Sequence, residues 1–404
     1  MITLLLLLLS FVLTVFYVSI MHTYQRVWKE LEESTECSDT VSTFISVIIP
    51  ARNEAKNILN VLADIERQSY PLDLMEVIVI DDNSEDNTYE LCLQFKERKT
   101  ISLQVYKLNE LIDAAHTSVY KKRAIEAAVH QAKGTLIVTT DADCSLQNHW
   151  LRSIATLYEK EKPALIAAPV AFQNDVTAFE KFQALDFCGM QAITGASLTM
   201  EMFNMANGAN LAYEKKAFLA VEGYQHIDQK ASGDDMLLVY KIAHKFSNNI
   251  RFLKNKYAIV FTAPQRTLAD FLQQRFRWTS KSRSYQDRRI TMILGVVYLF
   301  VLSIWMNLFY FILKAGYSIL FPEKTLIAFI HFLPALLFLI MSIFQVICKT
   351  LVDYFFLRSS VVFFNRSDLM HSFVISELYH IWYIPFVGTF GNILKYKWKG
   401  RTLS

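Results

Sequence analysis

Three pairs of carboxylates stand out by their spacing: Asp81 beside Asp82, Asp141 and Asp143 on either side of Ala142, and Asp234 beside Asp235 after Gly233. Two carboxylates one residue apart offer hard oxygen ligands to Mg2+ or Mn2+ and leave positions open for phosphate oxygens and water. A lone D-x-D is common in solvated turns, but this one follows the apolar run Leu136-Ile137-Val138-Thr139-Thr140, which reads as a strand. Asp81-Asp82-Asn83-Ser84 also closes an apolar run; it can start a turn or helix, and it can hydrogen-bond the base and ribose of a nucleotide. Gly233-Asp234-Asp235 leads into Met236-Leu237-Leu238-Val239, as a helix N-cap would, and a carboxylate there can take a proton from an attacking hydroxyl. The fourth motif, Gln274-Arg275-Phe276-Arg277-Trp278, combines guanidinium and amide groups suited to diphosphate oxygens with an indole that makes a flat wall. The same stretch also reads as an amphipathic interfacial helix, Leu268 to Ser284, with Phe271, Phe276 and Trp278 as lipid-facing anchors.

These groups need a frame, and residues 44–265 supply one in which strands and helices alternate. Strands are expected over Phe44–Ala51, Met75–Asp82, Ser102–Leu108 and Thr135–Thr140, with helices over Glu54–Gln68, Glu85–Lys99 and Lys121–Ala132 between them. Strands this apolar predict an α/β fold: a Rossmann-like, mainly parallel sheet covered on both faces, with ligands at the carboxyl ends of its strands. The first two acidic motifs fall at those ends.

Apolar segments flank the frame. Residues 1–22 are expected to form a transmembrane anchor, with 23–43 as a linker, because there is no basic n-region or small-residue cleavage site and Arg26 and Lys29 follow. Residues 266–290 are expected to be interfacial, 291–314 and 325–348 to form a transmembrane hairpin around the loop Phe321-Pro322-Glu323-Lys324, and 395–404 to be a basic tail. Residues 373–394 contain Glu377, His380 and Pro385, so an interfacial or re-entrant segment is expected over a fourth crossing. Arg283, Arg288 and Arg289 before the hairpin and Lys349 after it orient the soluble domain to the cytosol, in an integral protein of the cell inner membrane. The net charge of +3, from 41 basic and 38 acidic residues, argues against a nucleic-acid partner. Five cysteines without a C-x-x-C spacing argue against a disulfide framework or structural zinc.

Together, Val47-Ile48-Ile49-Pro50-Ala51-Arg52-Asn53-Glu54, the Asp81-Asp82 pair, D-x-D, Gly-Asp-Asp and Q-x-x-R-W resemble the membrane-bound family 2 glycosyltransferases with a GT-A catalytic domain. The resemblance implies that Ala51, Arg52 and Glu54 line a nucleotide pocket with Asp81 and Asp82, and that Asp141, Ala142 and Asp143 hold the diphosphate and the metal. It further implies that Asp235 is the general base of an inverting transfer. Lys121 or Lys122 takes the place of a basic residue usual in the family, with Tyr120 where a glycine often stands. Asn207, Gly208, Asn210, Asp234, Gln274, Arg277 and Trp278 fall on the diphosphate and acceptor side, although Glu214-Lys215-Lys216 replaces a common arginine pair. The implied partners are a nucleotide-sugar donor, a membrane lipid or lipid-linked acceptor, and the bilayer. Transfer of one hexose or N-acetylhexosamine to a lipid is the leading expectation, since three or four crossings give little material for a polysaccharide channel. A processive synthase of the poly-N-acetylglucosamine, hyaluronan or cellulose type is the alternative, and a non-catalytic nucleotide-binding membrane protein is a more distant one.

Overall fold

The computed structural model describes residues 2–112, 120–203, 205–225, 227, 233–247, 249–285, 287–320, 325–391, 393–394, 396–398 and 401–403. The chain divides into two compact units, Glu30–Arg266 and Met1–Lys29 with Thr267–Ser404.

The described residues of the Glu30–Arg266 unit form nine strands: β1 (Ile45–Ala51), β2 (Met75–Asp81), β3 (Leu103–Lys107), β4 (Leu136–Thr139), β5 (Leu165–Ala167), β6 (Val170–Phe172), β7 (Leu211–Glu214), β8 (Ile250–Phe252) and β9 (Val260–Thr262). Seven of them form one sheet in the order β3-β2-β1-β4-β7-β5-β8, in which only β7 runs antiparallel to its neighbours. β1 and β2 bury every residue except Pro50, as a strand covered on both faces must. Their register pairs Ala51 with Asp81, and Asp81 with Lys107 on β3, so the carboxyl ends of three strands line up in one row. β4 lies on the other side of β1, with Thr139 opposite Ile48. The four expected strands are therefore present with their ends moved by one residue, and the helices between them are Ile58–Glu66, Thr88–Lys96 and Tyr120–Gln131.

At the opposite, amino end of the sheet the buried carboxylate of Glu76 accepts from Ser46 Oγ at 2.6 Å, Gln104 Nε2 at 2.8 Å and the Lys133 amide at 2.5 Å. Gly134 closes the turn there, and a Cβ on it would meet the Ser46 nitrogen at 2.5 Å. These polar groups are thus consumed by the fold, whereas at the carboxyl end Asp81 Oδ1 is buried with no hydrogen-bond partner.

Sequence periodicity did not resolve the second half of this unit. It contains the 22-residue helix Ala178–Thr199, opened by a capping box between Thr177 and Glu180, and a two-stranded sheet of β6 and β9. Residues 31–43, expected to be a linker, are pinned to the unit. Ser34 N donates to the Lys254 carbonyl at 2.9 Å, Lys254 Nζ to the Leu31 carbonyl at 2.8 Å, and Ser42 and Thr43 bond Glu159 through both backbone and side chain.

The other unit contains three helices long and apolar enough to cross a membrane, Ile2–Glu30, Arg288–Ser318 and Leu333–Phe363, among the described residues. The anchor helix is longer than expected and absorbs Arg26 and Lys29. The helix Thr325–Phe363 also continues beyond Cys348, so Lys349 is fully buried inside it and does not serve as a flanking charge. Polar side chains bond from one of these helices to another: Gln345 Nε2 donates to Ser303 Oγ at 2.8 Å, Asn307 Nδ2 to Gln345 Oε1 at 2.8 Å, and Ser342 Oγ to the Ile304 carbonyl at 3.1 Å. Such bonds join apolar helices that gain nothing from hydrophobic burial in lipid. Phe373–Phe390 is a helix with Pro385 inside it and is not one of the three candidate spans. Within the expected basic tail, Tyr396–Trp398 and Arg401–Leu403 pair as antiparallel strands. Phe321–Lys324, Lys395, Lys399 and Gly400 lie outside the described residues.

Candidate active site

The loops that leave β1 and β2 are stitched together. Asn53 N donates to Ser84 Oγ at 2.9 Å, Glu85 N to Asn53 Oδ1 at 2.8 Å, and Glu54 N to Thr88 Oγ1 at 2.8 Å. Asn53 and Asn83 both carry positive φ, 53° and 51°, where a short amide side chain is tolerated. Arg52 donates from Nη1 to the Asp82 carbonyl at 3.0 Å, and its guanidinium lies 3.9 Å from the Asp82 carboxylate. Ala51, Glu54, Asp81 and Asp82 are buried around it. Asp81 accepts from Ser84 N at 3.1 Å through Oδ2, the turn role anticipated for it, while its Oδ1 is buried with no hydrogen-bond partner. An acceptor left in that state at a strand end suits a ligand donor.

Asp141 follows β4 by two residues and receives Lys121 Nζ on Oδ1 at 2.7 Å. Asp143 is exposed and Ala142 is buried between the two carboxylates. Lys122, the next residue of the same helix, is buried and donates to the Ile227 carbonyl at 2.7 Å. Of the two lysines, then, Lys121 meets the D-x-D carboxylate, and Lys122 is bound to the Ile227 carbonyl. Burial, and then the charges of Asp141 and Asp143, push the Cys144 thiol well above its ordinary range.

Asp235 lies in the first turn of the helix Asp234–Lys245, whose N-cap is Gly233 at φ 85°, a conformation that favours glycine. The two aspartates are accordingly the first helical residues and not its cap, and they sit where the helix dipole favours negative charge. Asp235 accepts from Met236 N at 2.7 Å and from Gly208 N at 3.4 Å. Gly208 also offers its carbonyl to Thr139 Oγ1 at 2.8 Å, so two hydrogen bonds join the end of β4, ahead of D-x-D, to the Asp235 carboxylate. Asn207 supports this turn by accepting from Ala209 N at 3.1 Å.

Asn210 departs from the expected site role. Its Nδ2 donates to the Pro169 and Ala258 carbonyls at 2.7 and 2.8 Å, and its Oδ1 accepts from Trp150 Nε1 at 2.9 Å, with the residue 1% exposed. All three bonds are internal, which makes it a clasp between loops.

Gln274, Arg277 and Trp278 lie on the helix Leu268–Ser280 of the other unit, each partly exposed, and Gln274 Oε1 is buried with no hydrogen-bond partner. The expectation of lipid-facing Phe271 and Phe276 is corrected: both are buried, Phe271 with its ring 5.7 Å from that of Tyr383 and Phe276 with its ring 6.2 Å from that of Phe386. Arg275, inside the motif but not part of its Q-x-x-R-W signature, is buried with its guanidinium 4.4 Å from the Trp278 ring and 4.8 Å from the Phe271 ring. Its tight packing was not foreseen, although its place one helical turn after Phe271 is a cation–π spacing visible in the sequence.

A mainly parallel α/β sheet with two acidic loops, a D-x-D turn and a helix-borne aspartate is the frame of a GT-A glycosyltransferase domain. Residues 136–387 match the profile described as "Glycosyl transferase family group 2", and residues 46–218 that of "Glycosyl transferase family 2". The first covers more than half of the chain, and the chain belongs to the family 2 glycosyltransferases. The fold agrees with that of the mannosyltransferase PcManGT from Pyrobaculum calidifontis, solved with GDP-Man and Mn2+, at a TM-score of 0.55 and 17% identity over 94% of this chain and 98% of that one. Among curated relatives, glycosyltransferase AglE of Haloferax volcanii is 33% identical over 37% of this chain and 46% of its own. The beta-monoglucosyldiacylglycerol synthase of Trichormus variabilis is 26% identical over 32% of this chain and 27% of its own. The poly-beta-1,6-N-acetyl-D-glucosamine synthase of Staphylococcus epidermidis is 22% identical over 58% of this chain and 53% of its own. The matched part of the chain spans about half, or less, of the length of these relatives.

Proposed function

We propose that the protein is an inverting glycosyltransferase that moves a hexose or N-acetylhexosamine from a nucleotide-diphosphate sugar to a hydroxyl of a lipid or lipid-linked acceptor. The observation that carries this reading is the hydrogen-bonded path Thr139–Gly208–Asp235, which draws the helix-borne carboxylate to the strand that delivers Asp141 and Asp143. In this reading Asp235 takes the proton from the acceptor hydroxyl as it attacks the anomeric carbon, opposite the departing diphosphate. Arg52, Glu54, Asp81 and Asp82 hold the nucleoside end, with Asp81 Oδ1 ready to accept from the ligand. Lys121 adds positive charge beside Asp141, on the side where the leaving group becomes more negative.

The carboxylates of Asp141 and Asp143 suit a hard divalent cation: Asp143 is exposed, and Asp141 is engaged by Lys121 through Oδ1. When bound, Mg2+ or Mn2+ would neutralise charge on the diphosphate. Gln274, Arg277 and Trp278 are assigned diphosphate and acceptor contacts by family resemblance. The cytosol-facing, inner-membrane setting belongs to the same proposal and follows from the three apolar helices together with Arg283, Arg288 and Arg289 near the hairpin.

A lipid acceptor is favoured over a growing polysaccharide because three candidate membrane spans among the described residues are little material for a polysaccharide channel. Removal of metal tests the site chemistry: excess EDTA should abolish transfer and added Mn2+ or Mg2+ should restore it, while undiminished transfer in EDTA would exclude the role given to Asp141 and Asp143.

A further inference from the structure

The most unusual group outside the site described above is Lys349. It lies in the middle of the helix Thr325–Phe363, within a stretch apolar enough to span a membrane, and its side chain is fully buried. Ionisable groups at such depth are costly unless they are paired, and they are uncommon without a task. Lys349 Nζ lies 2.6 Å from Asp353 Oδ2, 2.6 Å from Glu377 Oε1 and 3.1 Å from His380 Nδ1. The three ammonium protons thus have three acceptors, which requires His380 Nδ1 to be unprotonated and its ring proton, when neutral, to sit on Nε2. Asp353 also accepts from Tyr17 OH, at 2.7 and 2.8 Å, and the Tyr17 ring stacks on Phe300 with centroids 4.2 Å apart. Three helices of this unit therefore supply the ammonium group and its partners, and a fourth packs on Tyr17 through Phe300. Asp353, Glu377 and His380 bring ligand atoms within 4.8 Å of one another, the grouping of a divalent-metal site, and here the ammonium is the cation among them.

The cluster continues outward along the helix Phe373–Phe390. The His380 ring meets the Tyr383 ring edge-on at 5.5 Å, Tyr383 meets Phe271, and the Arg275 guanidinium lies 6.0 Å from the Tyr383 ring. One turn further, Phe386 and Val387 pack on Phe276. The helix is seated closely on its other side as well: a Cβ on Gly388 would come within 2.6 Å of the Tyr298 ring, and Trp305 Nε1 donates to the Ile381 carbonyl at 3.0 Å.

We propose that Lys349 is a positioning residue for transfer: by binding Asp353, Glu377 and His380 together, it fixes the helix Phe373–Phe390, which in turn fixes the Gln274–Trp278 motif through Tyr383 and Phe386. The inference rests on the transferase activity proposed above. Its rival is that the cluster merely cancels charge within the apolar unit. Removing Lys349 alone would strand two carboxylates and confuse these possibilities, so the test uses the full chain in nanodiscs carrying Lys349→Met, Asp353→Asn and Glu377→Gln together. Positioning predicts a variant that folds and binds UMP or GMP, whichever wild type binds, within twofold of wild type, but whose kcat for transfer falls by about tenfold or more. Charge cancellation alone predicts wild-type kcat, and that result would overturn the proposal. Tyr383→Leu, which leaves the cluster intact, supplies a second test should the triple variant fail to fold: lowered kcat with unchanged nucleoside monophosphate affinity is expected, and unchanged kcat would overturn the proposal. A wild-type control inactive with every donor would remove the transferase reading and this inference with it, whereas an active control beside an equally active variant would remove the inference alone.

Discussion

Asp235→Asn separates chemistry from structure at the proposed base. The carboxylate accepts a short bond from Met236 N at 2.7 Å and a long one from Gly208 N at 3.4 Å. An asparagine can keep its oxygen on Met236 and turn its amide toward Gly208, losing the longer of these two bonds at a cost of about 1 kcal/mol or less. The substitution removes the proton acceptor altogether, and general-base catalysis contributes about 10²–10⁴ in rate, equivalent to roughly 3–5 kcal/mol of barrier. Stability should therefore barely change while kcat falls by two to four orders of magnitude. The assay is donor-dependent release of nucleoside diphosphate by the purified full chain in lipid, with a thermal melt of the same sample. A kcat within threefold of wild type, with an unchanged melt, would refute the assignment; so would a kcat lost in proportion to folded protein.

The remaining predictions concern neighbours of the site. Lys121→Met should raise the donor KM by about tenfold and leave the melting temperature nearly unchanged, because the partly exposed pair with Asp141 contributes only about 0–1 kcal/mol to folding; an unchanged KM in initial-rate kinetics would contradict its place beside the leaving group. Asn210→Ala should destabilise by on the order of 3 kcal/mol by orphaning the Pro169 and Ala258 carbonyls and the Trp150 indole N–H, without a selective rise in donor KM; a stable variant with weakened donor binding would reverse that assignment. Burial, with Asp81 and Glu90 adding to it, raises the Cys92 thiol to about 12, and Cys144 is also raised well above its ordinary range. Because the thiolate is the reactive form, brief alkylation of the native protein at pH 8 should spare both, and mass spectrometry showing either labelled as fast as the half-buried Cys37 would contradict their burial.

The first half of the catalytic unit was legible because its strands are apolar on both faces and its helices carry a clear periodicity, so Ile45–Ala51 and Met75–Asp81 emerge almost residue for residue. The second half was not. β5 to β9 are three or four residues long, too short for any period to register, and the helix Ala178–Thr199 is buried over most of its surface and so lacks a polar face to mark it. The placement of D-x-D at a strand end could be read directly, but the difference between Lys121 and Lys122 could not, because adjacent residues on a helix point about 100° apart and only tertiary structure tells which direction meets Asp141. Asn210 shows the same limit, since its three bonds go to partners 41 to 60 residues away. In the sequence the apolar run ends at Lys349, because an unpaired charge ends a membrane segment; the partners that permit the helix to continue are Asp353, one turn ahead, and Glu377, on another helix.

The most direct test of the account is the product itself. Membranes containing the protein, incubated with UDP-glucose, UDP-galactose, UDP-N-acetylglucosamine and GDP-mannose in turn, should give with one of these donors a lipid-extractable species heavier by a single sugar residue in the mass spectrum. A ladder of increments, or no donor-dependent product in the lipid extract from any of the four, would contradict single transfer to a lipid acceptor.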